Sequence, residues 1–457
     1  MAKYDLTPVD VPKISTKYRK IRTKLPVPES LNIFKSLSES EPVSMMGQPP
    51  IVWDRAEGFQ VYDKWGNVWI DWSSGVLITN AGHCRKEIVD AIRELLDKKL
   101  ISTYVFIHEK RAELTKMLQR ISPDPSNYLV FLLSTGSEAI ENCIKLAKTY
   151  ALEKHGPQKK YLVSFSNAFH GRTLGAQLAG GMAKLKTWIV DEGKTFIQVP
   201  FPDGYKNENT SFELFLETLT EKGIKPDDIA GIITETYQGV GPDFFPVEYA
   251  KKLEAFCIEY DIVTIFDEVQ SGFGRTGKMF GYEHYGIKPD LIACGKGISS
   301  SLPISAVIGR KDIMNLYAPG SMTSTHSGSP LPVVAAIESL KIIEKENLVE
   351  NARKLGEILI PELQRIGNKY PDILGCVQGK GLVAGIQVVK RGTKVPDSDT
   401  ALKINEKCFH KGLLMFAPVG IGGECLKIAP PLITTEEALR EAINVLEEAC
   451  DEILGKK

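Results

Sequence analysis

Apolar residues recur along the chain with two periods, and the places where one period gives way to the other outline its organisation. In "FQVYDKWGNVWIDW" they alternate on both sides of Lys64-Trp65-Gly66-Asn67, which predicts two strands joined by a tight turn. From about Leu129 short apolar runs and amphipathic stretches take turns. "YLVFLL" leads into "STGSEAIENCIKLAKTYALEKHG", and "YLVSFSNAF", "IAGIITET", "EYAKKLEAFCIEYD", "IVTIFDE" and "DLIACGKG" follow. After Val247, residues Tyr249, Leu253, Phe256 and Cys257 fall at helical spacing and mark a core face. Strand, turn and helix in repetition predict an α/β domain built on a mostly parallel sheet.

Beyond Pro330 comes a long helical region, "VVAAIESLKIIEKENLVENARKLGEILIPELQRIG". Strands ("LVAGIQVV", "CLKIAP") and helices ("TEEALREAINVLEEACDEIL") then mix as in a smaller α+β unit. The pattern divides the chain into an N-terminal arm and hairpin (1–69) belonging to the small domain, a large domain (70–335) and a C-terminal small domain (336–457). Residues 1 to about 50 read as irregular. Their basic run, Lys13, Lys17, Arg19, Lys20, Arg22 and Lys24, reads as a solvated arm.

Composition narrows the function more than the fold. A formal net charge of −1 over 457 residues gives no reason to expect nucleic acid or an anionic membrane as partner. Eight scattered cysteines include no C-x-x-C pair, which argues against a zinc site or a disulfide framework and fits a reducing compartment. The N-terminus has no apolar signal core, and no stretch reaches the roughly 18 apolar residues of a membrane helix. A cytoplasmic protein with no metal site is expected.

"TIFDEVQSGFGRTGKM" (264–279) imitates a nucleotide-binding loop: an apolar strand ends in two acids, and Gly272 to Lys278 fits G-x-x-x-x-G-K. Such a loop needs a Ser or Thr after the lysine and a helix beginning there, so that backbone N–H groups surround phosphate. Here Met279 follows, then "FGYEHYG", which is unsuited to a long helix. Other residues carry a more coherent chemistry. Lys296, between Gly295 and Gly297, ends an apolar strand, where α/β sheets build their sites and where partial burial lowers an amine's pKa. Ser134-Thr135-Gly136-Ser137-Glu138 joins a strand to a helix with a capping box from Thr135 to Glu138, and its glycine and hydroxyl suit a phosphate. Phe169 and His170 follow another strand, where an aromatic could stack on a flat ring, and Asp267 could face a pyridine nitrogen.

A lysine for an aldehyde, an acid for a ring nitrogen, a stacking aromatic and a phosphate cup are the needs of pyridoxal 5′-phosphate. From about residue 50 to about 450 the chain resembles the class III (ω-amino acid type) aminotransferases, with "DEVQSGFGRTGKMFGYEHYGIKPDLIACGKGI" close to their signature. The resemblance implies an α/β chain of the type I, aspartate aminotransferase-like fold. It implies that Lys296 holds the cofactor as a Schiff base and moves the proton, and that Asp267 keeps the ring nitrogen protonated. Gln270 would bond the ring hydroxyl, Phe169 would stack with His170 beside it, and Gly136 and Ser137 would bind the phosphate. "TSTHSGSPL" places on Thr325 the threonine that reaches a neighbouring subunit's phosphate, which implies a homodimer or a dimer of such dimers.

Two positions depart from the family. Glu235 is kept in "ITETYQGVG", but Thr236 stands where proline is usual. The late arginine that pairs with that glutamate and binds substrate carboxylate is Lys427, in "GECLKIAPPL". An ammonium offers a point charge where guanidinium offers a two-pronged fork. Two expectations follow. Either Lys427 still pairs with Glu235 or a substrate carboxylate, as in a 4-aminobutyrate or ornithine-type enzyme, or one substrate has no free carboxylate there, being a simple amine or an amino acid with its carboxyl masked, as in a 3-aminoacyl coenzyme A thioester. In the second case the basic arm would meet the carrier's phosphates. The acceptor would be 2-oxoglutarate or pyruvate, in ping-pong half-reactions. An amino-acid racemase or epimerase on the same scaffold is the competing activity, although no residue can be assigned as its second base.

Overall fold

The computed structural model describes residues 4–190 and 193–455. It divides into two compact units, residues 86–350 and residues 1–85 together with 351–457. The terminal residues 1–3 and 456–457 of the arm and the C-terminal domain lie outside the described part.

The larger unit is organised by a sheet of seven strands: β1 (Tyr128–Leu133), β2 (Tyr161–Phe165), β3 (Phe196–Val199), β4 (Ile229–Glu235), β5 (Val263–Asp267), β6 (Leu291–Cys294) and β7 (Ser305–Arg310). Their order is β1-β7-β6-β5-β4-β2-β3, and only β7 runs antiparallel to its neighbours. The expectation of a mostly parallel sheet holds. The central strands are Val- and Ile-rich and buried along their whole length, the pattern of a sheet covered on both faces. Helix α1 (Gly136–His155) lies against it through Ala139, Ile140, Cys143, Ile144 and Ala147. Helix α2 (Val247–Glu259) buries Tyr249, Leu253, Phe256 and Cys257, the face read from spacing.

The segment 274–279 is a turn rather than a helix start, with Gly277 N–H donating to Gly274 O at 3.0 Å. The nucleotide-loop imitation therefore fails on geometry as well as on composition. The helical region after Pro330 is two helices, Pro330–Lys345 and Leu348–Lys369, parted at Asn347, whose φ is +53°.

In the smaller unit the hairpin forms as expected, with Tyr62 opposite Val68 and Val61 opposite Trp69. The arm ahead of it is more ordered than its composition suggested. Ile14–Ser15 and Lys20–Ile21 pair antiparallel, and Leu31–Ser40 is a helix. The basic run is largely exposed, as expected, and it also carries ion pairs. Lys17 pairs with Glu437, Arg19 with Glu441 at 2.6 Å and Lys24 with Asp10 at 3.1 Å. A local charge count misses this because Glu437 and Glu441 lie 420 and 422 residues away in sequence. This unit also holds a three-stranded antiparallel sheet, β8 (Leu374–Lys380), β9 (Val383–Val388) and β10 (Cys425–Ile428). Among the described residues no helix is long and apolar enough to cross a membrane.

Ile265 sits mid-strand in β5 with no exposed surface. Ile265→Ala should cost about 2–5 kcal/mol and Ile265→Val about 0.5–1.5 kcal/mol, through lost burial and the cavity left behind. Denaturant midpoints of the two variants check this.

Candidate active site

Parallel strands send their carboxyl ends to one edge of a sheet. β4 and β5 pair in register, so Glu235 and Asp267 are direct neighbours at that edge. β6 ends beside them, with Asp267 opposite Ala293 and the chain turning through Gly295 into Lys296. Lys296 has φ +41°, a left-handed conformation that costs a non-glycine residue about 1 kcal/mol or more and is characteristic of functional sites. Protein packed around its amine lowers the lysine pKa through desolvation, and the charges of Asp267 and Glu235 oppose that shift.

His170 Nδ1 lies 2.9 Å from Asp267 Oδ2, and Val269 N–H donates to Asp267 Oδ1 at 3.0 Å. Both carboxylate oxygens are thereby oriented. With Asp267 as acceptor the proton sits on Nδ1, and the buried Nε2 has no partner among the described residues. Glu235 is held as tightly: Phe169 N–H donates to its Oε2 at 3.0 Å and Gly239 N–H to its Oε1 at 2.8 Å. Burial pushes its carboxyl up to about 7. His170 and the two backbone donors pull the other way, and Asp267 adds to the rise.

Gln270 follows Asp267 on the same loop, its backbone carbonyl accepting from Tyr237 OH at 3.2 Å. A Cβ on Gly239 would stand 2.2 Å from Gln270 Nε2 and 2.9 Å from Glu235 Oε1, which puts the amide beside that carboxyl. Across the site Gly136 and Ser137 open α1, a helix of 20 residues. The expected cap is present in altered form. Thr135 Oγ1 accepts from Glu138 N–H at 3.3 Å, but the Glu138 carboxylate reaches Ser134 N–H, at 2.7 Å. Gly171, at φ +135°, lies under the Ser137 hydroxyl: a Cβ there would meet Ser137 Oγ at 2.3 Å. Phe169 is half-buried, with the Arg172 guanidinium 5.8 Å from its ring centre.

The larger unit thus brings together Gly136, Ser137, Phe169, His170, Glu235, Asp267, Gln270 and Lys296. Thr325 is exposed in the irregular segment before Pro330. Lys427 belongs to the smaller unit, buried in β10 opposite Gly385.

Sequence reading missed Glu268. Directly after Asp267 and fully buried, it accepts from Thr236 Oγ1, from Ser271 Oγ at 2.7 Å, and from Gly281 and Tyr282 N–H, each at 2.8 Å. Burial raises its pKa against those donors. Its carboxylate ties the end of β4 to the loop carrying Gln270, and Thr236, where proline was expected, supplies one of the ties. The departure at 236 was legible in sequence, but its partner was not.

The donor set suits pyridoxal 5′-phosphate. A helix N-terminus offers backbone N–H groups and a hydroxyl to a phosphate, a fixed carboxylate can face a ring N–H, and the amine of Lys296 is biased toward its neutral, nucleophilic form.

Glu235→Gln tests the electrostatics without the cofactor. A carboxyl raised in the fold destabilises it as pH climbs from the unfolded value toward 7, because the buried group must then ionise. The stability of Glu235→Gln relative to wild type should therefore rise between pH 5 and pH 8, by on the order of 2 kcal/mol. Urea unfolding of the apoprotein at the two pH values measures it, and a constant difference contradicts the burial of a titrating Glu235.

Comparison with known proteins places the site in a family. The family model for "Aminotransferase class-III" matches residues 43–450. An acetylornithine aminotransferase of Caldanaerobacter subterraneus subsp. tengcongensis is 34% identical, over 88% of this chain and 95% of its own. An alanine/serine racemase of Pyrococcus horikoshii is 32% identical, over 98% and 96%. A solved Bacillus anthracis aminotransferase superposes with a TM-score of 0.84 at 28% identity, over 93% of this chain and 99% of its own. The chain belongs to the class III aminotransferases, enzymes that work with pyridoxal 5′-phosphate.

Proposed function

We propose that the protein is a cytoplasmic ω-amino acid aminotransferase, moving a primary amino group remote from a carboxylate onto 2-oxoglutarate or pyruvate. The observation that carries this reading is the half-buried Lys296 amine, facing the charges of Asp267 and Glu235, beside the Asp267–His170 pair. The acetylornithine aminotransferase relative supports the substrate class, since acetylornithine keeps an α-carboxylate and is an amino acid of this kind. None of the eight cysteines is in a disulfide, which is consistent with the compartment.

When bound, pyridoxal 5′-phosphate supplies an aldehyde for the amine and a ring that accepts electrons. The chain supplies the rest. Lys296 Nζ, whose pKa burial lowers, would take the proton from the amine-bearing carbon. Asp267 presents its carboxylate to the ring nitrogen, and His170 fixes the orientation of that carboxylate. The N-terminus of α1, with Gly136 and Ser137, would hold the phosphate, Gln270 would bond the ring hydroxyl, and Phe169 would cover a ring face. Glu235, fixed by its two backbone donors, would contact the substrate. The matched acetylornithine and 4-aminobutyrate aminotransferases give no support to a coenzyme A thioester substrate.

The same reading includes a homodimer in which Thr325 reaches the neighbouring site. Phe106 and Ile107 are 75% and 91% exposed, and Tyr104 OH lies 3.3 Å from Thr323 Oγ1, which joins this apolar segment to that of Thr325. Light scattering should give twice the chain mass.

A second reading, racemisation, draws on the Pyrococcus horikoshii relative. The two separate by stoichiometry. Incubated with 4-aminobutyrate or 5-aminovalerate and 2-oxoglutarate or pyruvate, the enzyme should form glutamate or alanine mole for mole. Lys296→Ala should lower that rate about 10²–10⁴-fold or more. Inversion of an enantiopure amino acid with no keto acid present would favour the racemase instead.

A further inference from the structure

The smaller unit holds a cavity of about 360 Å³ between the end of β9 and two helices, α3 (Ser398–His410) and α4 (Glu436–Leu454). None of the residues assigned to cofactor or substrate lines it. Val389 N–H donates to Ile373 O at 2.8 Å and Asp397 N–H to Val388 O at 3.0 Å, which fixes its floor to the strand. Val389 also pairs with Pro396, closing a loop that carries Arg391. Ile373, Val389, Ile453 and Leu454 give the cavity apolar walls. Arg391 and Lys403 line it as well, and both are exposed.

Two carboxylates share the cavity, and both are already engaged. Asp397 caps α3, accepting from Thr400 N–H at 3.1 Å and from Thr400 Oγ1 at 2.8 Å. Glu452 meets Lys407 at 3.1 Å and Lys411 at 2.9 Å, and hydrogen bonding from those ammonium groups holds its carboxyl below the usual range against burial. Lys411 pairs with Glu448 too, at 2.8 Å. Lys403 and Lys407 stand one turn apart on α3, with Lys411 one turn further on, yet Lys403 takes no part in this network. Neither its side chain nor that of Arg391 has an ion-pair or hydrogen-bond partner among the described residues. Two uncompensated cations beside an apolar wall favour a ligand that is anionic at one end and apolar at the other.

We propose that this cavity binds a small organic acid, its carboxylate held by Arg391 and Lys403 and its hydrocarbon chain laid against Ile373, Val389, Ile453 and Leu454. The guanidinium offers a planar fork to both carboxylate oxygens, and the ammonium adds a point charge. Covering the chain removes apolar surface from water on ligand and protein alike. The volume is near the lower end for small-molecule sites, which suits an acid of a few carbons rather than a nucleotide or an acyl carrier. An apolar amine of the same size is repelled by the same two cations. This binding requires no cofactor and no step of amino transfer.

Hexanoate, which has neither an amino nor a keto group to react, is the probe, titrated calorimetrically into the holoenzyme. Arg391→Ala should weaken it by about tenfold or more, through loss of the charged fork, and Lys403→Ala by a smaller factor. Arg391→Lys keeps the charge without the fork and should fall between wild type and Arg391→Ala. From butanoate to hexanoate the affinity should rise by up to about fourfold for each methylene buried, and hexylamine should not bind. Both positions are exposed, so the variants should melt with wild type and keep its rate of amino transfer. Should Arg391→Ala melt lower, Arg391→Gln serves in its place with the same expectation. Hexanoate affinity unchanged in both alanine variants overturns the site, because the binding then belongs elsewhere, as does absence of binding to wild type. Equal affinity for butanoate and hexanoate also overturns it, since the two cations would then attract any anion.

Discussion

The in-register parallel pairing of β4 with β5 is the constraint on which the rest of the site depends. It makes Glu235 and Asp267 neighbours at the carboxyl edge of the sheet, with β6 delivering Lys296 alongside. Shifting either strand by one residue would turn one acid to the opposite face and bring Thr236 or Glu268 forward in its place. The register is held by strands that are apolar on both faces, and beyond the strand ends by Glu268, which fastens Thr236, Ser271, Gly281 and Tyr282. A buried carboxylate with that many donors is costly to break, and this one stands immediately behind the pair of acids it aligns.

The same closeness sets the electrostatics. Burial disfavours the charged forms of Lys296 and Glu235, and the charges around them act on each. Lys296 is driven toward neutrality by burial and back by the acids. Glu235 is driven up by burial and held down by His170 and two backbone N–H groups. Asp267 is oriented at both oxygens, which suits a carboxylate meant to face one fixed partner. The left-handed backbone at Lys296 belongs to the same arrangement, a strained conformation kept by the packed strand end before it.

Much of this was legible in the residues themselves. Alternation around Lys64–Asn67 gave the hairpin, helical spacing gave the buried face of α2, and apolar runs ending in Asp267 and near Lys296 gave the strands of the parallel sheet. These signals are local, and the physics behind them is local as well: side-chain period follows backbone geometry. What the sequence did not show depended on tertiary context. The ion pairs of the exposed basic run were not visible because Glu437 and Glu441 are hundreds of residues away. The capping glutamate chose Ser134 N–H over the cap residue, a choice that depends on how the preceding strand enters the helix.

The sequence by itself determined the family, the order of strands and helices, and which residue types stand at the strand ends, because periodicity and signature spacing survive without knowledge of contacts. Tertiary structure decided how those residues act on one another. It fixed which acid His170 serves, that Glu235 is satisfied by backbone donors, and that Thr236 bonds Glu268. The reason is that strand register and burial set hydrogen-bond partners and charge energies, and both are properties of the assembled sheet rather than of any segment within it.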